Sequence, residues 1–163
     1  MNSTELNVQA LAMSKLLLSK NKVLAAAESC TGGWVAKSIT DIDGSSNWFD
    51  CSIVTYSNQS KIDLLAVNPK TIDAHGAVSQ PVVKEMILGL LDRCNANFGV
   101  SISGVAGPGG GTDDKPVGTV WIAWAKPGLL IESVRYKFKG DREQIRLQSV
   151  EAVFQGVQRI LNQ

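Results

Sequence analysis

Apolar positions along the chain follow two patterns, a helical recurrence of three to four residues and short unbroken runs. Leu6, Ala10, Met13 and Leu17 show the first, which predicts an N-terminal amphipathic helix ending near Lys20. Residues 23–27 show the second, the mark of a strand covered on both faces, turning into a helix over about 33–40. Residues 52–56 are β-rich and predict a second strand, with a helix opening near Asn58. Val82, Val83, Met86, Ile87, Leu90 and Cys94 fall on one face of a helix that Ser79 can cap. Pro81 sits in its first turn, where a missing N–H costs nothing. His75 is read as part of a loop before that cap.

Residues 100–103 predict another strand, followed by a glycine-rich stretch over 104–118. Two β-rich runs, 119–125 and 131–138, are separated by Pro127-Gly128, a turn signal that predicts an antiparallel hairpin. Asp141 can cap a final helix to about Leu161. Helices alternating with apolar strands, plus one hairpin, predict a single three-layer α/β/α domain over residues 1–163 with a mixed, mostly parallel sheet.

Composition narrows the function classes. The chain has 163 residues, 44% hydrophobic and 19% charged, which suits a globular domain and excludes a disordered chain. Its formal net charge of +1 lacks the basic field that broad nucleic-acid or membrane-surface binding requires. No apolar stretch is long enough for a membrane span, and the first residues are too polar for a signal peptide, so a cytoplasmic protein is expected. The three cysteines read as reduced thiols. With His75 the only histidine, they leave a four-ligand structural zinc site poorly supplied, and no metal is expected.

Four polar or glycine-rich segments stand at the predicted strand ends, where open α/β sheets place their sites. In Glu28-Ser29-Cys30-Thr31-Gly32-Gly33, hydroxyls meet a helix start whose free N–H groups can bind phosphate or hold an oxyanion. Simple capping accounts for one hydroxyl but not for two followed by paired glycines. Cys30 is a rival nucleophile to Ser29, although a buried thiol is the commoner fate. In Tyr56-Ser57-Asn58-Gln59-Ser60-Lys61, a cap at Ser57 or Asn58 puts Lys61 in the first helical turn, where the dipole disfavours its charge. Read from this segment alone, Lys61 is a solvated surface lysine and Tyr56 a packed aromatic. The loop from Gly104 to Pro116 can form an anion-binding nest, stiffened by Pro108 and Pro116. Arg142 and Arg146 share a face with Val153, Val157 and Ile160, and so ask for an anion, either Glu28, Asp141 or a ligand phosphate.

Together these segments closely resemble the CinA C-terminal domain family, whose active members are nicotinamide-nucleotide amidohydrolases. The resemblance rests on E-S-C-T-G-G at 28–33, V-T-Y-S-N-Q-S-K at 54–61, H-G-A-V-S at 75–79, S-G-V-A-G-P-G-G-G-T at 103–112, K-P-V-G-T-V at 115–120 and G-D-R at 140–142. One departure is Ala66, where the family usually has glycine before the valine. The resemblance implies hydrolysis of nicotinamide mononucleotide to nicotinate mononucleotide and ammonia in pyridine nucleotide salvage. It implies no metal or cofactor, and a homo-oligomer. It further implies Ser29 as nucleophile, Lys61 as its base and Tyr56 as an orienting or relaying group. Thr31, Gly32, Asn58, Ala106, Gly107, Gly111, Thr112 and Arg142 would hold the nucleotide. The rival reading is a nucleotide-binding regulatory module of the same family with no chemistry.

Overall fold

The computed structural model describes residues 3–128 and 130–163. The elements run α1 (Ser3–Ser19), β1 (Leu24–Glu28), α2 (Trp34–Thr40), β2 (Phe49–Val54), α3 (Asn58–Leu65), α4 (Pro69–His75), α5 (Gln80–Leu91), β3 (Phe98–Gly104), β4 (Thr119–Ala125), β5 (Ile131–Lys137) and α6 (Arg142–Leu161). One sheet has the order β2-β1-β3-β4-β5. β1 pairs in parallel with β2 and β3, while β4 runs antiparallel to both β3 and β5. Four of the five strands therefore point the same way, and β4 alone opposes them.

Two apolar cores lie on the two faces of the sheet, which makes the fold three-layered. On one face Leu24, Val100, Ile122 and Trp124 pack against α1, α2 and α6. On the other, Ala25, Ala27 and Ala123 pack against α3 and α5. These small strand residues let helices approach closely. The closeness is greatest at Gly89 of α5, where a Cβ would fall 1.8 Å from the Leu65 carbonyl oxygen, so α3 is seated firmly on α5.

The structure corrects the sequence expectations at four places. β2 begins at Phe49 and ends at Val54, leaving Thr55 and Tyr56 beyond the strand, on the way to α3. His75 ends a short helix, α4, and does not sit in a loop; Asn68 caps that helix through its side chain. α5 stops at Leu91, so Cys94 lies outside the helical face assigned to it. Ser79 does stand at the start of α5, but its hydroxyl donates to the Gly76 carbonyl and caps nothing. Ala66, the residue in place of the family's glycine, closes α3 in the left-handed region at φ 55°.

The directions of β1, β2, β3 and β5 bring four segments to one edge of the sheet. The stretch after Glu28, the stretch after Val54, the glycine loop after Gly104 and the start of α6 all meet there.

Candidate active site

At that edge the Lys61 amine donates to Ser29 Oγ at 2.9 Å and to the Thr55 carbonyl at 2.7 Å. Ser57 caps α3 by accepting from the Ser60 N–H, which sets Lys61 in the opening turn with its side chain running inward. Lys61 is only 1% exposed, so the surface reading of this lysine is overturned. Burial pushes its pKa down from 10.5 to about 8, against an opposing contribution from the Cys30 thiol. An amine so placed can exchange a proton with the serine near neutral pH.

The Cys30 thiol is driven the other way. Burial raises it to about 12, with Arg146 and Lys61 only partly countering. A thiol held protonated is a poor nucleophile.

Glu28 has a role the sequence did not disclose. Its fully buried carboxylate accepts from Thr31 Oγ1 at 2.8 Å and from the N–H groups of Gly33, Val35 and Ala36 at 2.9–3.1 Å. Ser52 Oγ, on β2, completes the set at 2.8 Å. Glu28 thus caps α2 from the preceding strand and welds β1, β2 and α2 around Ser29. The cap takes the place expected for an oxyanion or phosphate at this helix start. Gly33 N–H goes to Glu28, and Gly32 N–H goes to the Ser29 carbonyl. The signal was an acidic residue closing an otherwise apolar strand just before a helix start.

The arginines do not meet Glu28. Arg146 donates to the Cys30 and Thr31 carbonyls, both at 3.0 Å, and lies over the Trp34 ring at 5.3 Å. Arg142 is exposed, not turned to the core, and spans the mouth of the site. It donates to the Gly107 carbonyl at 2.7 Å and to the Tyr56 hydroxyl at 2.9 Å. Tyr56 itself is 62% exposed and does not pack in the interior.

Between these groups lies a cleft of about 250 Å³ lined by Ser29, Cys30, Tyr56, Arg142 and the loop from Gly104 to Gly110. The loop is pinned at its base by Val105 N–H to the Thr119 carbonyl and by Gly118 N–H to the Val105 carbonyl, both at 2.8 Å. Of the expected contact residues, Ala106, Gly107 and Arg142 line the cleft. Thr31 is buried beneath it, bound to Glu28. Gly32 faces the Arg146 guanidinium. Asn58 stands exposed at the start of α3. Gly111 and Thr112 lie farther along the loop, Thr112 closing a turn with Lys115. Val105, Gly109 and Gly110 form the wall in their stead. Among the described residues no helix is long and apolar enough to cross a membrane.

Residues 7–161 match the model of the CinA C-terminal domain. The chain is 46% identical over 155 residues to nicotinamide-nucleotide amidohydrolase PncC of Escherichia coli K12, covering 95% of this chain and 94% of that protein. It is 48% identical to the protein of the same name from Pseudomonas putida, covering 84% and 85%. Among solved structures, competence/damage inducible protein CihA from Agrobacterium tumefaciens superposes with a TM-score of 0.92 at 36% identity, covering 97% of this chain and 96% of that one. With a family match over nearly the whole chain and relatives of this similarity, the chain belongs to the CinA C-terminal domain family.

Proposed function

We propose that the protein hydrolyses the carboxamide of nicotinamide mononucleotide, giving nicotinate mononucleotide and ammonia, with Ser29 as nucleophile and Lys61 as general base. The names of the relatives support the substrate and reaction class. The observation that carries the mechanism is the 2.9 Å contact between the serine hydroxyl and an amine that burial holds near pKa 8.

Neutral Lys61 takes the hydroxyl proton as Ser29 Oγ bonds to the carboxamide carbon, and the carbonyl electron pair moves onto oxygen. Ala106 and Gly107 N–H groups, on the cleft wall and without a protein acceptor among the described residues, are among the donors available to that oxyanion. As the C–N bond breaks, the Lys61 ammonium returns its proton to the departing nitrogen and ammonia leaves. Water then gives a proton to Lys61 and its oxygen attacks the ester carbon; Ser29 regains its proton from Lys61 as nicotinate mononucleotide departs. The Thr55 carbonyl keeps the amine aimed through both halves. Arg142, held at the mouth of the cleft by its bond to the Tyr56 hydroxyl, is the group this reading gives to the phosphate. The reading extends to a homo-oligomer acting in pyridine nucleotide salvage in the cytoplasm.

Ammonia release from nicotinamide mononucleotide by wild type and Ser29→Ala tests the proposal. Release by wild type alone, with the variant still binding the nucleotide, is expected. Unaltered nucleotide after prolonged incubation with folded wild type overturns it in favour of a binding module. Retained turnover in the variant removes Ser29 as nucleophile.

A further inference from the structure

At the opposite end of the sheet from Ser29, chain folding brings Cys94 to the adjacent pair Asp50 and Cys51. The Asp50 carboxylate, the Cys51 thiol and the Cys94 thiol place one oxygen and two sulfurs all within 4.8 Å of one another. Cys51 pairs with Ala25 on β1, four residues before Ser29, or about 13 Å along the strand. This cluster is therefore separate from the cleft.

The donors have the composition and spacing of a soft-metal site. A tetrahedral zinc ion with Zn–S near 2.3 Å and Zn–O near 2.1 Å needs sulfurs about 3.8 Å apart and each sulfur about 3.6 Å from the oxygen. Separations within 4.8 Å reach that with side-chain adjustments of about an ångström. All three groups are exposed or half-buried, so an ion has a path in from solvent. The frame is already closed by Asp50, whose carboxylate accepts from the Asn95 N–H at 3.0 Å and ties edge strand β2 to the loop carrying Cys94. That bond uses Oδ2 and leaves the second carboxylate oxygen for an ion.

We propose that Asp50, Cys51 and Cys94 bind a thiophilic divalent metal ion of the zinc class, with water as the fourth ligand. Binding forms two metal–sulfur bonds and one metal–oxygen bond, and releases one proton from each thiol to solvent. The ion clamps β2, an edge strand, to the turn that feeds β3 across the intervening β1. A disulfide is the competing fate of the pair.

Reduced, chelator-stripped full-length protein titrated with Co²⁺ tests this, followed by competition with Zn²⁺. The expected result is one equivalent per chain, with thiolate-to-cobalt charge-transfer absorption and tetrahedral d–d bands that zinc abolishes. Cys94→Ser and Cys51→Ser lose the charge-transfer band, Asp50→Asn weakens binding tenfold or more, and zinc raises the Tm of wild type only. Bands that survive in Cys94→Ser, or none at stoichiometric cobalt, overturn the proposal. So does a Cys51–Cys94 disulfide that forms readily in air while the reduced protein takes up no metal. Circular dichroism of each variant separates lost ligands from a lost fold.

Discussion

Lys61 reports its protonation in two independent measurements. With its pKa near 8, about one native molecule in eleven carries the neutral amine at pH 7, against about one in three thousand for an ordinary lysine at 10.5. At pH 9 the fraction is about ten in eleven. If the neutral amine must accept the Ser29 proton, kcat/KM for nicotinamide mononucleotide rises roughly tenfold from pH 7 to pH 9. The same pKa governs stability. Below pH 8 both native and unfolded chains hold the proton, and the native state bears the full cost of a buried ammonium. Between pH 8 and 10.5 only the unfolded chain binds it, so stability increases with pH. Integrated from pH 7 to pH 10, the gain is about 2.5 kcal/mol. Urea unfolding of wild type and Lys61→Met at both pH values isolates it, because methionine does not titrate and the other groups cancel. The wild-type unfolding free energy rises relative to the variant by that amount. A gap independent of pH, or a flat kcat/KM between pH 7 and 9, refutes the reasoning.

Arg142→Ala raises KM for nicotinamide mononucleotide tenfold or more, since a charge-assisted contact contributes about 1.5–3 kcal/mol, and hardly affects nicotinamide riboside. Equal losses on both substrates remove the phosphate role. Ala66→Gly relieves a left-handed alanine that costs about 1–2 kcal/mol, less about 0.4–1 kcal/mol for a freer unfolded chain. Calorimetry should show Tm higher by about 2–3 °C, and a lower Tm contradicts the strain. Glu28→Gln turns an amide donor toward groups that already donate, costing about 2–4 kcal/mol in urea unfolding. Unchanged stability would mean that the carboxylate is not the cap of α2.

Local signals carried most of the fold. Pro127-Gly128 between two β-rich runs announced the β4–β5 hairpin, and Asp141 announced α6, where the structure adds a reciprocal bond from Gln144. α4 escaped because it has seven residues and one buried apolar side chain, Ile72, too little for a periodicity. Of the candidate site, Ser29 stood out as a residue type, Lys61 only through the family resemblance, and their geometry not at all. They stand 32 residues apart, and what lowers the lysine's pKa is its burial, which no local window contains. Glu28 misled for a related reason. A carboxylate near two arginines in sequence logic looks like their partner, whereas the backbone N–H groups of α2 lay closer and claimed it.

The cleft draws on both ends of the chain, and this bears on when the protein becomes competent during synthesis. Ser29 and Lys61 leave the ribosome early. Arg142, which spans the mouth, and Arg146, which braces the Cys30 and Thr31 carbonyls, arrive only with α6. That helix in turn seats against α1, where Gln158 bonds to Gln9 at 2.9 Å. A nascent chain ending at β5 thus holds Ser29 and Lys61 but neither Arg142 nor Arg146. The mouth of the cleft is therefore complete only once the twenty residues of α6 have docked.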